Sequence, residues 1–309
     1  MGITNDRMKR GSARAFAGAA LLVSAATLLS SCAPEPPRTP PTAEAADSTN
    51  PGQAAREADS ATDPGAAPDT QEEPANPGLS QEALDEQLRS AAWANDVDAA
   101  SRLIRWGANP NAKDNTQQSP YLVATSEGRV ELLELTLAHG ADLGDLDSWN
   151  GTGLIRAAER GHWEVSGTLI QHGVAVDHVN RLGYQAIHEA VILGRDDPSY
   201  HLTLLVLVAG GASLVTPSVN EGMTPIQMAY HRGFTGQIAV LEVLDAPAPA
   251  DPDGALFEAA AAGDPNAVAL AIRAGADVAA PGGDGRTARQ VAEEAGHFRA
   301  GSVLRALGG

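Results

Sequence analysis

The 309-residue chain has a single cysteine, Cys32. No internal disulfide, cysteine-based metal site or cysteine nucleophile is therefore open to its folded part. Lysine is almost missing too: Lys9 and Lys113 are the only two, and past residue 31 Lys113 stands alone. Residues 1–31 hold four of the 21 basic and one of the 39 acidic side chains, so the remainder carries 17 against 38, a formal net charge of −21. A surface of that sign repels phosphate backbones and anionic headgroups, which argues against nucleic acid and direct lipid binding. A basic or mixed-charge protein suits it better. There is no Gly-rich phosphate loop with its lysine either.

Long apolar side chains are absent from Ala33 until Leu79. A stretch so rich in Pro, Ala and acid cannot bury enough surface to offset ordering entropy, so residues 32–80 are expected to be a disordered tether. A flexible coil of that length spans roughly 40 Å, more with its prolines and like charges. Before it, Arg7, Lys9, Arg10 and Arg14 precede an apolar run from Ala15 to Leu29 and then Leu29-Ser30-Ser31-Cys32. A basic segment, a short apolar segment and small residues before a cut are the anatomy of a secretory signal peptide over residues 1–31. The tetrapeptide resembles a bacterial lipobox, which implies diacylation of Cys32 as the new N-terminus. Lipid chains of that kind give stable anchoring. The expected location is the cell envelope, on the outer side of the cytoplasmic membrane or in the outer membrane facing the periplasm.

What is present from there on is a ruler. Ser119-Pro120-Tyr121-Leu122, Thr152-Gly153-Leu154-Ile155, Gln185-Ala186-Ile187-His188 and Thr224-Pro225-Ile226-Gln227 begin at intervals of 33, 33 and 39 residues. Equivalent positions continue back to Glu86 and forward to Gly254 and Thr287, which gives seven units. Periods of this size mark a solenoid whose units bury their apolar faces only by stacking. Each unit has a first apolar segment with paired small residues, such as Ala157-Ala158, then Gly, then a second segment of helical period and a Gly-Ala ending. The units therefore read as helix, turn, helix, an all-α array with short hairpin connections.

These residues resemble the ankyrin repeat. The closest local agreement lies in Gly222-Met223-Thr224-Pro225-Ile226-Gln227-Met228-Ala229, Ala157-Ala158-Glu159-Arg160-Gly161-His162 and Gly107-Ala108-Asn109-Pro110-Asn111. The resemblance implies an ankyrin solenoid over residues 81–309 that binds protein without catalysis or cofactor, as a monomeric scaffold or adaptor. An immunity-type or regulatory inhibitor of an envelope protein or toxin is the alternative, and a metal-dependent hydrolase a remote one. Two departures stand out. Unit four has about five extra residues around Arg195–Tyr200, and unit five runs into Asp245-Ala-Pro-Ala-Pro-Ala-Asp251, where Pro247 and Pro249 exclude a regular helix. An irregular junction is expected near 245–253, with units six and seven either continuing the stack or hinged apart from it.

No catalytic constellation emerges. His162, His188 and His297 sit at turn or first-helix positions, and Ser119 and Thr152 at the hydroxyl position that caps the first helix. His172 and His178 flank a helix end and a hairpin instead of converging as a metal site requires. The surface is more informative. Carried over by position, the resemblance places hairpin tips and the exposed ends of the first helices on a concave binding face. In units three to five this face holds Trp149, Glu159, Arg160, Arg181, Leu182, Tyr184, Ile192, Leu193, Glu221, Met223, His231 and Arg232. Aromatic and Met side chains beside Arg are typical of an interface centre. The competing expectation is that the unit-four insertion, with Tyr200, folds over this patch.

Overall fold

The computed structural model describes residues 75–309. The expected signal peptide, Cys32 and the expected tether as far as residue 74 lie outside the described residues. Those that are described fold into fourteen helices, with two isolated bridges, Leu146–Thr152 and Pro281–Thr287, and no longer strand among them. The helices pair as seven units: α1 (Gln81–Ala94) with α2 (Val97–Arg105), α3 (Pro120–Ser126) with α4 (Val130–Ala138), and α5 (Gly153–Glu159) with α6 (Trp163–Gln171). Next come α7 (Ala186–Ile192) with α8 (Pro198–Ala209) and α9 (Pro225–Arg232) with α10 (Thr235–Leu244). The chain ends with α11 (Pro252–Ala262) and α12 (Pro265–Arg273), then α13 (Ala288–Glu294) and α14 (Phe298–Ala306). None is long and apolar enough to cross a membrane.

Local chemistry sets the helix starts. The Ser119 and Thr152 hydroxyls accept from the Leu122 and Ile155 amides, at 3.2 and 3.4 Å. Thr224 with Gln227, and Thr287 with Gln290, close reciprocal capping boxes. Proline occupies the first turn of α3, α8, α9, α11 and α12, where its missing N–H costs nothing. Two first helices begin earlier than the repeat spacing implies. Glu86 lies inside α1, whose N-cap is Ser80, and Gly254 lies inside α11, whose N-cap is Asp251.

First helices stack on first helices from α1 through α9, and second helices on second helices from α2 through α10. The paired alanines Ala124, Ala157, Ala158 and Ala190 are fully buried between them. At the turns the packing needs glycine. Gly128 holds φ 71° with a His162 ring atom 2.7 Å from where a Cβ would stand, and Gly161 holds φ 74° over the Tyr200 ring.

The unit-four insertion lengthens both the turn after α7 and helix α8. Tyr200, in the first turn of α8, is buried, and its hydroxyl donates to the Glu159 carbonyl at 3.0 Å. The inserted residues thus cap the far end of α5, and Trp149, Leu182 and Leu193 stay exposed. The expectation that Tyr200 covers the patch is not met.

After α10 the array changes direction. The chain leaves Leu244 through Asp245 and has no helix until Pro252, as Pro247 and Pro249 require. Helix α11 packs against α12 and α13 and does not continue the first-helix row onto α9. Instead α12 lies against α8 and α10, and α14 against α6 and α8. Units six and seven are thus neither a simple continuation of the stack nor a detached block, because they fold back over the second helices of units three to five.

Helix α8 explains why. Its sequence, PSYHLTLLVLVA, has no polar face, and every residue from Leu202 to Ala209 is buried. A helix that is apolar all round needs cover on all sides, and the fold-back provides it. The seam is closed by polar groups. The Arg273 guanidinium donates to the Val208 and Ala212 carbonyls at 2.9 and 2.7 Å, a cation at the C-terminal end of α8.

Candidate functional face

The hairpins of units two to four are built from one device repeated every 33 residues. Asp114, Asp147 and Asn180 each turn a side-chain oxygen back to accept two amides of their own hairpin. Asp147 takes Trp149 and Gly151, both at 2.8 Å, and Asn180 takes Leu182 and Tyr184, both at 3.0 Å. Neighbouring tips are then tied together. The Arg181 amide donates to the Trp149 carbonyl at 2.9 Å and its guanidinium to the Ser148 carbonyl at 2.7 Å, while the Asn220 amide group reaches the Leu182 carbonyl at 2.7 Å. Trp149 and Leu182 therefore stand on a braced row of turns, not on free loops.

The twelve face residues separate in this geometry. Trp149 is 56 % exposed, Leu193 51 % and Leu182 39 %. Tyr184 is not a surface residue: at 8 % exposure its ring packs near that of His188, and its hydroxyl donates to Glu221 at 2.6 Å. Burial and that bond push the Tyr184 phenol up, while the same bond, helped by one from Ser218, holds the Glu221 carboxyl below its usual range against the opposing effect of burial. Ile192 and Met223 are half-buried against the core. Expectations of exposure thus fail at Tyr184, which turns onto Glu221 of the next repeat, and are met only in part at Ile192 and Met223, which pack against the core. Arg160 is spent on the Ser126 carbonyl and Glu127. His231 and Arg232 are exposed at the end of α9, where Arg232 lies over the Phe234 ring.

Four of the twelve converge. Trp149, Glu159, Leu182 and Leu193 line one cavity of about 150 Å³ with Asp147, Gly151, Ile155, Arg156, Asn180 and Glu189. Arg156 pairs with Glu159 at 2.5 Å and with Asp147 at 3.3 Å. Glu189 is 2 % exposed; its Oε1 accepts from Asn180 Nδ2 at 2.5 Å, and its Oε2 has no hydrogen-bond partner. Burial, with Glu159 and Asp147 nearby, pushes its pKa up to about 7 against the opposing pull of Asn180 and Arg156.

Sequence reasoning did not single out Glu189, Arg156, Asp147 or Asn180, although the ruler contains them. The position four past each N-cap reads Val123, Arg156, Glu189 and Met228, and Val123 and Met228 are fully buried there. A charge in that column was the available signal.

The five histidines weighed as catalytic or metal-binding candidates each bond a backbone carbonyl. His162, His188 and His297 bond the carbonyls of Ser126, Thr216 and Ala261, and His172 and His178 those of Thr168 and Asn150. Among the described residues no three His, Cys, Asp or Glu side chains gather as a metal would need.

No protein-family model matches the chain. A protein of Escherichia coli (strain K12) named as an ankyrin repeat protein, YahD, is 30 % identical over 135 residues, covering 43 % of this chain and 66 % of that one. A solved ankyrin repeat domain from Acinetobacter baumannii AYE is 46 % identical, covering 50 % of this chain and 79 % of that one, with a TM-score of 0.48. This chain is an ankyrin-repeat protein. Its ankyrin array also resembles, at 31 % identity over 179 residues, the nuclear factor NF-kappa-B p105 subunit of Gallus gallus, of which it spans only 17 %. The chain thus spans 66 % and 17 % of the lengths of these two curated relatives. A second solved ankyrin repeat protein, EF0377, is 31 % identical over 53 % of this chain and 85 % of that one, with a TM-score of 0.49.

Proposed function

We propose that this ankyrin-repeat protein is a non-catalytic binding module that holds a protein partner on the hairpin and first-helix face of units three and four. It would do so from the bacterial envelope, anchored outside the cytoplasm through lipid on Cys32. The carrying observation is that Trp149, Leu182 and Leu193 are large, exposed apolar side chains grouped at one cavity on a braced scaffold. Such groups on rigid backbone are typical anchors of an interface. The opposite side of units three to five is covered by units six and seven, which leaves the hairpin side for a partner. The acidic surface favours a partner with basic or mixed charge.

Two experiments test the two halves. A photo-crosslinking residue at Leu182 of the full chain, in its native membranes, should capture one protein, and Trp149→Ala should reduce that capture strongly. Capture equal to that from a crosslinker at exposed Arg299, on α14, would remove the binding face. Labelling with a palmitate analogue should mark the wild-type chain and not Cys32→Ser; equal labelling would remove the anchor.

A further inference from the structure

The cavity beside Trp149 has the chemistry of a receptor for one cationic side chain. Three carboxyl groups, those of Asp147, Glu159 and Glu189, line the wall with one guanidinium, that of Arg156, which pairs with the first two, so acidic groups outnumber cations three to one within the wall. Glu189 Oε2 is buried without a donor. A buried acceptor left unmatched costs free energy that a donor entering the cavity would recover. Trp149, Leu182, Leu193 and Ile155 supply apolar wall. With about 150 Å³, roughly five times water's share of liquid volume, the space fits a single long side chain and not a folded segment.

We propose that this cavity receives one arginine side chain of the bound protein, a reading that rests on the protein-binding role of this face. The guanidinium donates to Glu189 Oε2 and to the neighbouring carboxylates while its methylene stem lies along Leu182 and Leu193. Its plane stacks on the Trp149 indole. Arginine suits the cavity better than lysine because its planar fork serves two acceptors at once, stacks on an aromatic face and is more weakly hydrated. An anionic or purely apolar anchor leaves the carboxylate excess unanswered.

The test uses the full chain and three capped tripeptides, Gly-Arg-Gly, Gly-Lys-Gly and Gly-citrulline-Gly, followed by NMR shifts of the Leu182 and Leu193 methyl groups at pH 8. The arginine peptide should bind at least tenfold more tightly than its neutral citrulline counterpart and severalfold more tightly than the lysine peptide. Glu189→Gln should lower arginine-peptide affinity at least tenfold, and the surface variant Trp149→Ala severalfold. Equal binding of arginine and citrulline peptides, or wild-type affinity in a folded Glu189→Gln protein, overturns the proposal. A partner crosslinked through Leu182 whose capture survives Glu189→Gln also overturns it and leaves the protein-binding reading standing. Arginine-peptide binding that depends on Glu189, with no crosslinked protein, supports the cavity's chemistry and removes that reading.

Discussion

Gln171 donates from Nε2 to the Ala306 carbonyl at 2.7 Å, joining the end of the third repeat to the end of the seventh across 135 residues. Solenoid contacts are ordinarily made between neighbouring repeats, so this bond belongs to a closure and not to the stack. The same seam includes Arg305, whose guanidinium lies 5.6 Å from the Trp163 ring centroid.

That closure depends on close approach at Gly167. A Cβ there would run into the Ala306 backbone carbonyl, which has no flexible end to move aside. Gly167→Ala should therefore destabilise the protein by about 1–3 kcal/mol, the usual range for overpacking. Urea unfolding is the measurement. If units six and seven come away as a block, the transition should also broaden, since array cooperativity would be broken. An unchanged midpoint would show that α14 does not press on α6.

Arg273 is the second hold on the fold-back. Its guanidinium bonds two carbonyls at the C-terminal end of α8, with only the aliphatic part of the side chain left to replace if it is changed to methionine. Arg273→Met should cost about 1.5–3 kcal/mol, the range for hydrogen bonds to a charged group. Exchange of the Val206–Leu207 amides, followed by mass spectrometry, should quicken if α8 loses its cover. Unaltered exchange and stability would place the driving force wholly in apolar burial.

The seven units and their helix, turn, helix form were legible because 33-residue spacing survives in short, strongly typed elements such as Ser119-Pro120 and Thr224-Pro225. The fold-back was not read, although α8 carried its signal: Leu202–Ala209 has no polar stripe, so a single stack would have left an apolar face in water. At the hairpin face of units three and four, position in the repeat correctly gave exposure at Trp149, Leu182 and Leu193 and failed at Tyr184. A hairpin residue can turn either outward or onto the next repeat, and its neighbour decides. Here Glu221, from the following hairpin, provides the acceptor that holds the Tyr184 hydroxyl inside.

Removing apolar surface from the face should leave the fold intact. Trp149→Ala and Leu193→Ser each change side chains that are more than half exposed, so stability should move by no more than about 0.5 kcal/mol. Partner capture should fall in both. A melting temperature lowered in step with capture would mean that these side chains serve packing and not recognition.

Glu189 makes stability depend on pH in a direction opposite to that of most carboxylates. In the unfolded chain its pKa takes the ordinary value of 4.5, and in the fold it rises to about 7, mainly through burial, with Glu159 and Asp147 adding repulsion from α5 and its hairpin. Between those values the folded state keeps a proton that the unfolded state has lost. Its contribution to stability is therefore full below pH 4.5, falls as pH rises toward 7 and is constant above that. Glu189→Gln keeps the shape and cannot ionise, so it should match the wild type near pH 4.5 and exceed it by about 3 kcal/mol at pH 8. Urea midpoints for both proteins across pH 4.5–8 would show the two curves diverging upward from the acid end. Parallel curves would mean that Glu189 is ionised throughout, with a donor already supplied at Oε2. A basic ligand should reverse the sign for the wild type alone. A guanidinium in the cavity favours the ionised carboxylate, so binding at pH 6.5 should release a proton, measurable as a buffer-dependent heat, and Glu189→Gln should abolish that release.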